Sequence, residues 1–489
     1  MSPRPDGAHP GPSIVWFRDD LRIADNPALH AALDRGEPIL AVYVLDDVSP
    51  GIRPLGGASR WWLHYSLERL AASIGELGGR MILRQGPAGT VIPDVVRETS
   101  AGAVFWNRRY GGAEREVDAG IKSWGTDSGL EMASFAASLL FEPWTISNGS
   151  GDPFRVFTPF WRACLHEPEP RAPLPAPASM DAFSGTVASD ALADLDLLPT
   201  KPDWAGGLRA DNDPGERAGA ARLEQFASED LPDYAGDRDQ PARYATSRLS
   251  PHLRWGEVSP YQVWHRIQRG RGSSASYDES ASKFLAEIGW REFSYSLLYF
   301  HPDLASRNLN TRFDGFDWNP TEGDALQAWQ SGRTGFPLVD AGMRALWQTG
   351  NLHNRVRMVV ASFLIKNLRI DWRAGEAWFW DTLVDADAAN NGASWQWVAG
   401  SGADAAPFFR VFNPVLQSRK FDPTGDYIRE FVPELGQLSA SDIHEPWSAR
   451  GDLVDAALGG GVDAYPSPIV DLKTSRRDAL AAYDAIKNA

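Results

Sequence analysis

Short apolar runs alternate with amphipathic stretches through the first 135 residues. Ser13–Phe17, Ile39–Leu45, Arg80–Arg84, Ala103–Asn107 and Glu131–Phe135 read as strands. Between them lie segments of helical spacing such as Ala58–Leu77, where Trp62, Leu63, Leu67 and Leu70 gather toward one side. This βαβ rhythm predicts an open, parallel five-stranded sheet with helices on both faces. Ligands of such sheets lie beyond the carboxyl ends of the strands. The first turn, Phe17 to Asn26, lacks a glycine-rich dinucleotide fingerprint, which disfavours a nicotinamide dehydrogenase.

The pattern changes at Glu142. Prolines at 168, 170, 173, 175 and 177 precede an acidic stretch without sustained periodicity, the composition of a linker draped over a surface. Beyond Arg222 the periods are helical; Val356, Val359, Val360, Phe363 and Leu364 make one core stripe. The expected division is an α/β domain over 13–141, a linker over 142–221, and a larger all-α domain over 222–489.

Composition narrows the class. The chain has 489 residues, 43% hydrophobic and 23% charged, which is ordinary for a globular protein. No apolar run approaches the roughly 18 residues of a membrane span. The Pro- and Gly-rich Met1–Pro12 lacks the apolar core of a signal peptide, so a frayed tail on a cytoplasmic protein is expected. A single cysteine, Cys164, excludes an internal disulfide and multi-cysteine metal motifs. A net charge of −16 argues against a general nucleic-acid coat, yet Arg344, Arg355, Arg357, Lys366, Arg369 and Arg373 face only Asp371 over 344–373. Such a basic stretch is either a phosphate-binding surface or a solvated helix face. Eleven of the twenty tryptophans lie between Trp255 and Trp397, a concentration that suggests stacking of flat rings or passage of electrons beyond core packing.

Walker A, HExxH and GxSxG sequences are absent; Gly400, Gly402 and Ala405 fit G-x-G-x-x-A but follow no strand. Thr246-Ser247-Arg248-Leu249-Ser250-Pro251 clusters hydroxyls where a helix can begin, fit either to hold a pyrophosphate or simply to cap. Glu287, Trp290 and Arg291 stand at i, i+3 and i+4: a carboxylate, an indole and a guanidinium able to read a base edge, stack a base and hold a phosphate. An ordinary amphipathic helix gives the same spacing. Leu352–Met358 and Asp385–Trp397 place dense polar residues in an apolar context, where they need partners if buried; an Arg357–Asp385 pair beside a heteroaromatic cofactor meets that need. A metal on Asp385 and Asp387 is disfavoured, since no His or Glu ligand set accompanies them.

Together these groups resemble the photolyase and cryptochrome family, most closely its bacterial enzymes for cyclobutane pyrimidine dimers. The likeness runs from Val15–Arg22 and Asp25-Asn26-Pro27 to Lys420–Pro423, and the block Asp385–Pro414 carries it most specifically. The resemblance implies a Rossmann-like α/β antenna domain and an all-α domain holding FAD. It places Tyr234, Thr246, Ser247, Arg248, Leu249 and Ser250 at the FAD phosphates and neighbouring groups. It puts Phe284 in the pocket wall, Arg357, Asp385, Ala386 and Asp387 around the flavin, and Asn391 at its N5. The implied activity is blue-light repair of pyrimidine dimers in DNA, a carbon–carbon lyase reaction on a lesion flipped out of the duplex. Glu287, Trp290, Asn354 and Asn391 are then catalytic; Arg238, Arg291, Arg355, Trp397 and Gln417, with Glu287, Trp290 and Asn354, contact DNA. Trp318, Trp372 and Trp395 match the family's electron-hopping chain.

Within the family, Asn354 and Met358 stand where (6-4) enzymes carry histidine acid chemistry, so dimer repair is favoured. A cryptochrome-type receptor signalling through a protein partner is the alternative. Plant receptors usually have Asp at the position of Asn391 and often carry long C-terminal tails, whereas 54 residues follow Leu435 here. Asn391-Gly392-Ala393-Ser394 resembles the class III bacterial branch, which suggests a methenyltetrahydrofolate antenna rather than an 8-hydroxy-deazaflavin. Asn107 and Arg108-Arg109-Tyr110 lie at a strand end suited to it. Asn351, Leu352, Ala386, Ser418 and Arg419 depart from common family residues without removing a named chemical group. Damaged DNA is the expected partner, and the chain is expected to be monomeric.

Overall fold

The computed structural model describes residues 11–404, 410–452, 457–459 and 464–487. Ala405 and most of the expected N-terminal tail lie outside them. The chain divides into two compact units: residues up to 204 with 213–232 and 247–302, and residues 205–212 with 233–246 and 303–489.

The first unit is built on a parallel sheet of β1 (Ser13–Phe17), β2 (Ile39–Leu45), β3 (Met81–Gln85), β4 (Ala103–Asn107) and β5 (Glu131–Phe135), in the order β3-β2-β1-β4-β5. β1, β2 and β4 are buried along their whole length, as apolar strands covered on both faces must be. β3 starts one residue later than expected. Its register sets Met81 beside Ala41, and Arg80 instead donates to the carbonyl of Gly185. Helices α1 (Pro27–Arg35), α2 (Gly57–Glu76), α3 (Ala88–Thr99) and α4 (Gly112–Asp127) alternate with the strands. Asn26 caps α1 by accepting from the Leu29 N–H, and Pro27 supplies its first turn.

The stretch read as linker contains regular structure. Ala182 bridges to Ile39, and α5 (Phe157–Cys164) forms within it. At eight residues, α5 is too short for its period to stand out from the surrounding prolines. The first unit also contains α6 (Pro260–Arg269), opened by Ser259 and Gln262 in a capping box, and the 26-residue α7 (Ala275–Phe300), capped by Ser274.

The second unit is helical. Its main elements are α8 (Pro337–Thr349), α9 (Asn354–Ser362), α10 (Trp372–Thr382), α11 (Asn390–Ala399), α12 (Pro414–Phe421) and α13 (Leu472–Lys487). The expected stripe of Val356, Val359, Val360, Phe363 and Leu364 is buried throughout. α9 passes into a wide turn at Phe363–Asn367, which carries Phe363, Leu364 and Ile365 into the same core. No helix among the described residues is long and apolar enough to cross a membrane.

Candidate active site

In the first unit the site residues come from α7 and from residues 247–250. Phe284 is buried against Phe226, ring centroids 4.6 Å apart. Glu287 and Trp290, nearly one turn apart, stay half-buried. Arg291 lies deeper. It is buried, its Nη1 donates to the Ser138 carbonyl at 2.6 Å, and its guanidinium lies 4.7 Å from the Tyr295 ring. These contacts tie α7 to the chain before it. Beside it, Glu292 is buried, and desolvation pushes its carboxyl up to about 7 against the opposing pull of Arg291 and the Phe141 N–H.

Between Thr246 and Ser250 the hydroxyls do not cap. The helical turn Ser250–Arg254 has Leu249 in the cap position, whose side chain offers no acceptor. Ser247 Oγ instead accepts from the Leu249 N–H at 3.3 Å, and Arg248 adopts a left-handed φ of 52°. A non-glycine residue held there is a strained backbone of the kind that gathers at ligand sites. Thr246, Ser247 and Arg248 are half-buried and Ser250 is exposed.

In the second unit, α9 begins at a histidine. His353 Nδ1 accepts from the Arg355 N–H at 3.2 Å; burial pushes the imidazole down to about 4, so at neutral pH it is uncharged and able to accept. Asn354, next in line, is exposed. Arg355 pairs with Asp239 at 2.8 Å and lies over Phe421, and the Arg238 guanidinium sits 5.2 Å from the ring of buried Tyr234. The expected Arg357–Asp385 pair is present. Arg357 Nη2 donates to both Asp385 oxygens at 3.0 and 2.8 Å, and Nε donates to the Leu352 carbonyl at 2.7 Å.

Ala386 is buried, and Asp387 opens α11 by accepting from the N–H groups of Ala389 and Asn390 and the side-chain amide of Asn390. One turn on, Asn391 Nδ2 donates to the backbone oxygen and Oε1 of Glu376 at 3.0 and 2.8 Å. Glu376, buried on α10, orients this amide, and no spacing rule links residues 15 positions apart. Trp397 is half-buried and donates to the Asp404 carbonyl; Gln417 is half-buried on α12.

The three chain tryptophans share the second unit. Trp395 is buried with its ring against Gly375, where a Cβ would collide with it, three residues beyond Trp372 on α10. Trp372 is buried and donates from Nε1 to Asn308 at 2.9 Å. Half-buried Trp318 precedes Asn319, which bridges to Ile370, two residues before Trp372. Sequence reading missed Asn308 as it missed Glu376: neither belongs to a local motif.

These residues fit a flavin. The buried Trp395 indole N–H has no hydrogen-bond partner among the described residues; Arg357 Nη1 takes no part in the pair with Asp385; and Asp385 and Asn391 supply the acceptor and amide that a pyrimidinedione ring requires.

At the strand ends of the first unit the outcome differs. Asn107 Nδ2 donates to Asp20 at 2.6 Å and to Asn26 at 2.9 Å, while its Oδ1 accepts from the Ala28 N–H. Arg108 is tied to Glu142 and to the Ser134 carbonyl. Asn107 is therefore a structural lock between the strand end, Asp20 and the start of α1. Arg109 Nε and the Tyr110 hydroxyl are buried without a partner.

The fold and these side chains define the class. The family model described as DNA photolyase matches residues 13–178, and that described as FAD binding domain of DNA photolyase matches residues 284–485. The chain belongs to the photolyase and cryptochrome family. It is 50% identical over 97% of its length to a deoxyribodipyrimidine photo-lyase of Agrobacterium fabrum, 98% of which is covered. It is 39% identical to cryptochrome-1 of Arabidopsis thaliana over 95% of this chain and 69% of that one. The crystal structure of a bacterial class III photolyase from Agrobacterium tumefaciens superposes with a TM-score of 0.94 at 49% identity, covering 98% of both chains.

Proposed function

We propose that this chain is a deoxyribodipyrimidine photo-lyase of the class III kind, a carbon–carbon lyase that splits cyclobutane pyrimidine dimers in DNA under blue light. The observation that carries the reading is the near-complete structural likeness to the Agrobacterium class III enzyme at half sequence identity. Tyr234, Thr246, Ser247, Arg248, Leu249 and Ser250 hold the FAD phosphates and adjoining groups; Phe284, Arg357, Asp385, Ala386 and Asp387 hold its ring system. Asn391, its amide nitrogen committed to Glu376, would present its oxygen toward N5. When bound, reduced FAD supplies the photo-excited electron that opens the dimer and takes it back.

The chain's own residues position the lesion. Photolyases are among the enzymes that extrude their target, and a distorted dimer costs less to extrude than a paired base. Trp290 and Trp397 stack on it, and Glu287 and Asn354 bond its polar edges. Arg238, Arg291, Arg355 and Gln417 hold nearby DNA groups, Arg291 with the donors left over from its bond to Ser138. Trp318, Trp372 and Trp395 would relay electrons from an external reductant toward an oxidised flavin. The functional segments are those of the sequence: an antenna domain over 13–141, a linker over 142–221 and a FAD domain over 222–489. The antenna is methenyltetrahydrofolate rather than a deazaflavin, and a redder second absorption band would reverse that choice. The protein works as a monomer in the cytoplasm, without a membrane.

The test is repair of irradiated duplex by FAD-loaded, reduced protein. Dimers disappear under blue light and persist in the dark. Trp290→Ala weakens lesion binding about tenfold or more, and Glu287→Ala lowers repair. The identity to cryptochrome-1 of Arabidopsis favours a second reading, a receptor acting through a protein partner. Absence of any light-dependent repair would select it.

A further inference from the structure

We infer that Phe157 is a positioning residue for the lesion, acting through Trp290. The inference rests on the reading of Trp290 as the stacking platform. Phe157 lies flat on the Trp290 indole, ring centroids 3.9 Å apart and planes 10° from parallel. Phe157 is buried, while Trp290 is only half-buried. One face of the indole is therefore covered by α5, and a stacking partner has the other. Both residues belong to the first unit.

The contact is one of several along α5. Phe160 meets Phe293 with centroids 5.2 Å apart, and Phe157 meets the same ring edge-on at 6.1 Å. Trp161 lies against Gly289, where any Cβ would strike its indole, so α5 approaches α7 closely just beside Trp290. The spacing Phe157, Phe160, Trp161 turns these rings to one side of the short helix. A flat partner at van der Waals distance fixes the plane of an indole that otherwise rotates about two torsions. Fixing it before binding removes an ordering cost from lesion capture. Phe157 itself touches no substrate in this arrangement.

The experiment measures lesion affinity in the dark, with FAD-loaded full-length protein and a single-stranded oligothymidine containing one cyclobutane dimer. Phe157→Leu keeps the volume and removes the flat face. Its dissociation constant for the lesion should rise about three- to tenfold, with affinity for the undamaged oligonucleotide and repair per absorbed photon at saturating lesion both unchanged. Phe157→Tyr, which keeps the ring, should restore wild-type affinity. In the Trp290→Ala background, Phe157→Leu should cost nothing further.

Losses that add in the double variant, or an unchanged affinity in Phe157→Leu, overturn the inference. If Phe157→Leu does not fold, Phe157→Tyr with a loss as large as that of Trp290→Ala overturns it equally, since stacking is retained there. An unchanged affinity in Trp290→Ala alone instead removes the platform reading, so the two failures are distinguishable.

Discussion

Two polar regions of similar composition behave in opposite ways. At the strand ends of the first unit, Asp20, Asn26 and Asn107 are buried and bonded to one another or to nearby backbone. Among Arg357, Asp385, Asn391 and Trp395 of the second unit, mutual bonds leave capacity over: an arginine nitrogen outside its ion pair and an indole N–H with no acceptor. Dense polar residues in an apolar stretch thus mark a need for partners, not a binding site. What separates a lock from a cradle is the donor and acceptor capacity left after the chain has served itself.

The largest expected effect breaks the lock. Asn107→Ala removes two donors from buried carboxylate and amide oxygens and an acceptor from the Ala28 N–H, so it should cost about 2–4 kcal/mol of stability. Repair per flavin-loaded molecule should stay at the wild-type level. Denaturant unfolding, paired with repair normalised to flavin content, checks both halves. Stability retained with loss of a second chromophore would return Asn107 to the antenna.

Glu292 sharpens the contrast, because its burial is incompletely compensated. Its Oε1 has no hydrogen-bond partner, and its carboxyl is pushed up to about 7 by desolvation. The folded state thus holds a proton that the unfolded state releases near 4.5. Stability from this group is fully present below that value and is lost as pH rises through about 7. Relative to Glu292→Gln, the wild type should lose on the order of 2–3 kcal/mol between pH 4.5 and 8, measured by denaturant midpoints across that window. Parallel pH profiles for the two proteins would show that the carboxylate is charged when folded.

How much of this was legible follows from what each feature depends on. The five strands were readable because runs such as Ile39–Leu45 are apolar and bounded; β3 slipped by one residue because register belongs to its neighbour. Arg357 and Asp385 were readable as a pair because two opposite charges in an apolar context need one another. The bond of Arg291 to the Ser138 carbonyl was invisible, since i, i+3, i+4 spacing defines a single exposed face only where one side of a helix is covered. α7 is covered on several sides, and Arg291 lies on one of the covered ones. Glu376, Asn308 and the contact of Phe157 with Trp290 were invisible, being tertiary meetings without local pattern.

The smallest effect tests the cradle. Arg357→Lys keeps a cation beside Asp385, so the buried carboxylate is not stranded and the melting temperature should move by only about 2 °C. An ammonium cannot, however, reproduce the planar guanidinium that serves Asp385 and the Leu352 carbonyl at once and still carries a free Nη1 edge. If that edge belongs to the flavin site, the dissociation constant for FAD should rise about tenfold, equivalent to about 1.4 kcal/mol. Flavin fluorescence released on dilution measures it without any repair assay. A melting temperature that falls while flavin stays bound would reassign Arg357 from cradle to lock, and the contrast between the two regions would lose its second term.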